Sequence, residues 1–160
     1  MMQQRIINRV EGDPHYHRYL QSFEPGHDSS AAAAIILAAR QVARTLNAKA
    51  IVSFTVGGTT ARRASKKRPD VPILAISPLI ETCRQLALSW GVYPEYTEYI
   101  EDDFRKMLVS ACEIAGKKGL VTDPNDLLVV TAGFPFGTPG AANIVRVVPA
   151  AGPTHWDSSL

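Results

Sequence analysis

The sequence predicts an α/β domain: a mostly parallel five-stranded sheet, helices on both faces, and the last strand antiparallel at one edge. Three observations carry this. First, short apolar runs rich in β-branched residues recur without alternation, as strands covered on both faces do. The clearest are Ala50–Thr55 (AIVSFT), Val71–Ser77 (VPILAIS) and Leu127–Ala132 (LLVVTA). Second, the segments between these runs carry a helical period, and strands alternating with helices build parallel sheets through right-handed crossovers. Third, Gly133–Ala142 (GFPFGTPGAA) holds three glycines and two prolines and has no room for a crossover helix. The strand after it therefore returns antiparallel beside the one before it.

Taken in order, Met1–Val10 places Met2, Ile6 and Val10 at steps of four and runs into a break at Glu11-Gly12-Asp13-Pro14. Ser29–Leu46 reads as a helix with Ile35, Ala39, Val42 and Leu46 on its inner stripe and Asp28 or Ser29 as its cap. Ala50–Thr55 is the first strand. A short helix over about Thr60–Lys67 ends before Pro69. Val71–Ser77 is the second strand, and Ser77-Pro78 opens a helix whose inner side is Leu79, Cys83, Leu86 and Trp90, stopped by Gly91. Val92–Tyr96 is a weaker strand, and Pro94 assigns it to an edge. Asp102 and Asp103 start the next helix, with Phe104, Met107, Leu108, Ala111 and Ala115 inside and Lys117-Lys118-Gly119 at its end. Leu127–Ala132 is the fourth strand and Asn143–Val148 the fifth. Pro149–Leu160 reads as an extension.

Composition narrows the function classes. The chain has 160 residues, 46% hydrophobic and 20% charged, which suits a single globular domain. Lys and Arg number 17 against 15 acids, a net charge of +2, too small to call for nucleic acid. The longest apolar run, Ala31–Ala39, is far short of the ~20 residues of a membrane span. The start, MMQQRIINR, has no apolar leader, and Cys83 and Cys112 fit no zinc spacing. Free thiols on such a chain place it in the cytoplasm.

Three segments are candidates for chemistry. Thr55-Val56-Gly57-Gly58-Thr59-Thr60 joins the first strand to the short helix. Its glycines permit close backbone approach, and the helix start offers free N–H groups to an anion, best a phosphate. The GxxxxGK[ST] spacing is absent, and a plain glycine turn capped by threonine would look the same. Arg62-Arg63-Ala64-Ser65-Lys66-Lys67-Arg68 puts five bases in seven residues. It reads first as a solvated helix face, without aromatics to stack bases, although Arg62 or Arg63 could turn back toward a phosphate at the helix start. The Gly133–Ala142 loop leaves the carboxyl end of the fourth strand, where such sheets take ligands. The first and fourth strands should be neighbours, so both loops open on one edge of the sheet.

No catalytic or metal-binding set emerges. His15, His17, His27 and His155 lie toward the ends, and Ser53 lacks a nucleophile elbow. The cysteines sit on apolar stripes as core residues. Glu98, Glu101, Asp102 and Asp103 read as a helix start rather than a cation site.

The residues also carry a resemblance. IVSFTVGGTTARRASKKRPDVPILAIS is similar to the C-terminal domain of pyruvate kinases: strand, Ser/Thr/Gly loop, helix ending Lys-x-Arg-Pro (Lys66–Pro69), then Pro72-Ile73-Leu74-Ala75. Arg84, Leu86 and Gly91-Val92-Tyr93-Pro94 resemble the next piece. Gly133, Pro135, Gly137, Gly140 and Asn143 match the family's effector-loop signature, and Val10–Tyr16 (VEGDPHY) resembles its exit from the last barrel helix. The resemblance covers about residues 1–148. It implies a three-layer α/β/α domain over 14–148, preceded in 1–13 by the end of a barrel helix or linker and followed in 149–160 by an extension.

It also implies a regulatory domain without a catalytic site. In the family, phosphate passes between phosphoenolpyruvate and ADP in a barrel and a lid domain, where magnesium and potassium act. This chain itself is expected to need neither ion. By position, Thr55, Gly57, Gly58, Thr59, Thr60 and Arg62 would hold an effector phosphate. Gly133, Phe134, Pro135, Phe136, Gly137, Thr138 and Gly140 would close over the rest of the ligand. Members that respond to fructose 1,6-bisphosphate often carry Trp and Arg in that loop; here Phe134 and Phe136 stand without an Arg, and Val56 replaces a frequent hydroxyl residue. A sugar monophosphate or AMP is therefore favoured. Asn143, Ile144, Val145, Arg146 and Val147 would meet a second copy of the chain, as an apolar edge strand invites. Nucleic acid and membrane are not expected partners. Two other readings stay open: a stand-alone phosphate-binding sensor or enzyme, and a purely structural oligomerisation module.

Overall fold

A computed structural model describes residues 2–22, 28–98, 103–134 and 142–152. Two helices, α1 (Met2–Glu11) and α2 (Pro14–Ser22), precede the body. The body runs α3 (Ala31–Thr45), β1 (Ala50–Phe54), α4 (Thr59–Lys66), β2 (Ile73–Ser77), α5 (Ile80–Leu86), β3 (Val92–Tyr96), α6 (Phe104–Lys117), β4 (Leu127–Gly133) and β5 (Ala142–Pro149). The sheet order is β3-β2-β1-β4-β5. The first four strands are parallel, and β5 returns antiparallel along β4 from Leu127↔Pro149 to Gly133↔Ala142, with an irregularity at Ala132/Gly133. The α/β class, the antiparallel edge pair and the edge position of β3 are as expected.

The crossover geometry sets the layers. Helices α4 and α5 carry the chain from β1 outward to β3 and share one face with α3; α6 carries it back across to β4 on the other. Alternate residues of each strand therefore enter different cores. Val52, Phe54, Leu74, Ile76, Leu128 and Val130 pack against Met107, Leu108, Ala111 and Cys112 of α6. Ile73 and Ala75 meet Ile36, Ala61, Ala64 and Leu86, while Ile51 and Val129 meet Ala39 and Ala43. Both cysteines are buried. Their thiol pKa values are raised, chiefly by burial, which keeps them protonated.

Several local expectations shift. Helix α3 is capped by Ser30, whose side chain accepts from Ala33 N at 3.2 Å; Asp28 in turn accepts from Ser30 N. Its buried face is Ala32, Ala33, Ile36, Ala39 and Ala43, with Ile35 and Val42 only half-buried and Leu46 exposed. The helix lies against the sheet through alanines, and the larger apolar residues flank that contact. Helix α5 begins at Ile80 rather than Pro78. Ser77 Oγ accepts from Leu79 N at 3.2 Å, which closes a turn before the helix, and Leu79 is exposed instead of inward. Helix α2 was not expected at all; Asp13 Oδ1 accepts from His15 N at 2.7 Å, with Pro14 as its first residue.

Other ends agree with the sequence. Asp103 caps α6 through Arg105 N and Lys106 N, and Gly119 (φ +68°) ends it, with Leu120 N reaching Ala115 O and Gly119 N reaching Gly116 O. Expectations concerning His27, Glu101, Asp102, His155 and the tail beyond Gly152 lie outside the described residues. No helix among the described residues is long and apolar enough to cross a membrane.

Candidate functional site

The carboxyl ends of β1, β2 and β4 lie on one edge of the sheet because these strands are parallel and adjacent. At that edge the chain turns through Thr55–Gly58 into α4. Hydrogen bonds hold the turn from three sides. Thr55 Oγ1 accepts from Gly58 N at 3.0 Å. Ser77 Oγ, at the end of β2, donates to Val56 O at 3.1 Å. Arg62 donates through Nη1 to Gly57 O at 3.0 Å and through Nη2 to Gln85 Oε1 of α5 at 2.6 Å. Arg62 thus staples the turn to α5, and Arg63 pairs with Asp28 at 3.5 Å. Arg62 therefore does turn back to the start of α4, as the sequence allowed, although its guanidinium is engaged by Gly57 O and Gln85 Oε1; Arg63 is turned away to Asp28.

The two glycines have different reasons to be there. Gly58 has φ +77°, and a Cβ on it would meet Thr82 Cγ2 at 3.1 Å, Arg62 Nη1 at 3.2 Å and Leu86 Cδ2 at 3.3 Å. Conformation and close approach to α5 both require glycine here. Gly57 is exposed, and a Cβ on it would meet nothing within 4 Å, so packing does not require glycine at that position.

Gly58 occupies the N-cap of α4 with no side chain to cap it. The first-turn N–H groups of an α-helix have no intrahelical acceptor and carry the positive end of its dipole. Thr59 is exposed beside them, Thr60 is buried, and Thr55 is buried with its hydroxyl closing the turn. Such a place can receive an anion without rearrangement of the backbone.

The second loop starts at the same edge. Gly133 ends β4, and Phe134 follows with its side chain 58% exposed. Asn143, second residue of β5, holds the loop base: its Oδ1 accepts from Phe134 N at 2.8 Å and its Nδ2 donates to Phe134 O at 2.6 Å. The amide side chain completes the ladder beyond the irregularity at Gly133. Pro135, Phe136, Gly137, Thr138 and Gly140 lie outside the described residues. In β5, Val145 and Val147 pack toward α3 while Asn143 and Arg146 are exposed. Sequence reasoning missed Ser77 and Gln85 as supports of the turn. Ser77 carried a signal, a polar residue ending the buried run ILAIS; Gln85 carried none.

Residues 33–148 match the model of the family described as "Pyruvate kinase, alpha/beta domain". The chain belongs to the pyruvate kinase family. A pyruvate kinase of Agrobacterium vitis is 40% identical over 146 residues, 91% of this chain and 30% of that protein. One from Methylorubrum extorquens is 34% identical over 89% of this chain and 30% of its own length. The crystal structure of a pyruvate kinase from Cryptosporidium parvum superposes with a TM-score of 0.70 at 26% identity, over 84% of this chain and 25% of that one. A second structure of the Cryptosporidium parvum enzyme, in complex with ADP, gives the same TM-score at 27% identity. The chain thus spans under a third of the length of these pyruvate kinases and corresponds to their C-terminal α/β domain. Among the described residues no three of His, Cys, Asp or Glu gather as a divalent cation would require.

Proposed function

We propose that this pyruvate kinase C-terminal domain binds a phosphorylated effector at the Thr55–Thr60 turn and contributes to subunit assembly. The observation that carries the reading is the uncapped start of α4 above a turn already held by Thr55, Ser77 and Arg62. Preorganised N–H groups at a helix start recognise phosphate oxygens without first paying to order the loop. Thr59 and Thr60 add hydroxyl donors, and the Gly133–Gly140 loop closes over the non-phosphate part of the ligand. Phe134 and Phe136 supply aromatic faces where no guanidinium stands, which favours a sugar monophosphate or AMP over a bisphosphate. Arg62 serves by holding the turn. Transfer of phosphate between phosphoenolpyruvate and ADP, with its magnesium and potassium, belongs to the remainder of the parent enzyme, and the domain works in the cytoplasm.

Assembly rests on a separate observation. Strand β5 is eight residues long, pairs among the described residues only with β4, and carries Ile144, Val145, Val147 and Val148. Its outer N–H and C=O groups fit a second copy of themselves across a two-fold axis, joining two sheets into one. A thermal-shift screen of phosphorylated metabolites tests the effector reading. A ligand at 100 times its Kd should stabilise the fold by about 2.7 kcal/mol. Sugar monophosphates and AMP should give larger shifts than fructose 1,6-bisphosphate at equal concentration, and a screen in which no phosphorylated compound shifts the transition contradicts it.

A further inference from the structure

The two faces of β5 meet different neighbours. Val145 and Val147 pack toward α3. The alternate residues, Ile144, Arg146 and Val148, lie on the α6 side, where Val148 is buried in the α6 core, Ile144 is half-buried and Arg146 is exposed. Between α6 and the turn that follows β5 lies a trough of about 320 Å³, lined by Arg105, Val109, Cys112 and Glu113 of α6 and by residues 150–152. Cys112 fixes which flank of α6 this is. Its Sγ donates at 3.5 Å to the carbonyl of Pro149, the last residue of β5. Because β5 is the outermost strand beyond β4, the α6 flank that reaches it is the one nearest that edge of the sheet.

Arg105, Val109 and Glu113 stand four residues apart on this flank and form one ridge about 12 Å long. All three are exposed. Among the described residues, neither Arg105 nor Glu113 forms an ion pair or a side-chain hydrogen bond. Arg105 also lies in the first turn of α6, at the positive end of the helix dipole, where a cation is disfavoured. Nothing within the fold compensates it. Departures from local preference of this kind gather where a surface has a function.

We propose that this ridge is the second half of the β5 interface, and that its occupant is the same ridge of a second copy of the chain. The inference rests on the assembly reading of β5. Two identical edge strands pair antiparallel about a two-fold axis perpendicular to the sheet. That axis keeps both copies of α6 on the same face and reverses the direction of one against the other. A ridge that is positive at one end, apolar in the middle and negative at the other is complementary to itself under this reversal. With the axis level with Val109, each Arg105 faces the partner's Glu113, and the two valines flank the axis. The ridge then does what β5 alone does not. Slipping two edge strands past each other keeps the same faces together, so strand pairing by itself leaves the register open. Any slip draws both ion pairs apart.

Sedimentation equilibrium of the full 160-residue chain tests this through a charge exchange. Arg105→Glu and Glu113→Arg each set like charges against one another at both contacts, and each should weaken the dimer by about fivefold or more. The double variant Arg105→Glu/Glu113→Arg rebuilds both pairs with their signs exchanged and should return the dimer to within about twofold of wild type. Both substitutions suit the helix dipole, and unchanged thermal transitions check that the fold is intact. A dimer whose affinity is the same in wild type and both single variants overturns the ridge and leaves the β5 pairing standing. So does a double variant no tighter than the single ones. A wild-type chain that stays monomeric overturns the assembly reading, and the ridge falls with it.

Discussion

Asn143 shows how much one side chain can settle. Two hydrogen bonds to Phe134 replace the ladder bonds that the irregularity at Gly133 interrupts. Exposed bonds of this kind contribute about 0.5–1.5 kcal/mol each, so Asn143→Ala should lower stability by about 1–2 kcal/mol in urea unfolding. Asn143→Asp keeps the acceptor, loses the donor and should fall between. Asp126 does similar work at the opposite end of the sheet. Its carboxylate accepts from Thr122 N and Asp123 N, with Lys49 3.5 Å away, and these contacts hold its pKa below the ordinary carboxylate value. A lowered native pKa stabilises the fold above the unfolded value of about 4 and loses that contribution as pH falls through the native one. The urea midpoint should therefore fall below about pH 4. Asp126→Asn should cost stability at pH 7, with the difference from wild type narrowing toward acid. At this scale the sequence was least informative. That Thr55 closes the turn, that Arg62 faces Gly57 and Gln85, and that Ser30 rather than Asp28 or Ser29 caps α3 depend on angles no spacing encodes.

Elements were easier to read, and the misses have physical causes. The strands of the parallel core announce themselves because burial on both faces keeps them apolar nearly throughout, with Ser53, Ser77 and Thr131 as buried polar exceptions. Helix α6 was legible for another reason: an acidic cap, a five-residue stripe and a Lys-Lys-Gly end all agree. Helix α3 was found but turned, since periodicity weighs Ile35, Val42 and Leu46 above the alanines that make the closest contact. Helix α2 escaped because PHYHRYLQS has little amphipathic stripe, and only Asp13-Pro14 marks its start. Strand β5 was placed by exclusion, its connection being too short for a crossover. Its proposed pairing with a second copy belongs to this scale. Successive N–H groups of an edge strand alternate inward and outward, so Val145→Pro and Arg146→Pro remove one of each. The outward substitution should convert a dimer to monomer in sedimentation without loss of fold, and the inward one should mainly weaken the β4–β5 pair. A monomeric wild-type chain at high concentration contradicts the pairing.

For the molecule as a whole, the fold brings the Thr55–Thr60 turn and the base of the second loop to the carboxyl ends of the adjacent strands β1 and β4, with β5 as the lateral edge of the same sheet. The resemblance carried by Lys66–Pro69, Pro72–Ala75 and the Gly133–Asn143 spacing led to the same family that residues 33–148 match. Ligand identity was never in these residues alone, because helix N–H groups recognise a phosphate whatever it is attached to. Effector binding therefore depends on whether an anion occupies the start of α4. Thr59→Glu probes it most directly. Thr59 is exposed at the first position of α4, where a carboxylate suits the helix dipole and spares the fold. The same carboxylate competes with a phosphate for the same N–H groups. Calorimetric titration of wild type and Thr59→Glu with the phosphorylated ligand that stabilises wild type most should show affinity reduced at least about tenfold, a loss of about 1.4 kcal/mol, in the variant. Unchanged affinity in a folded Thr59→Glu protein would contradict the assignment of the turn as the effector site.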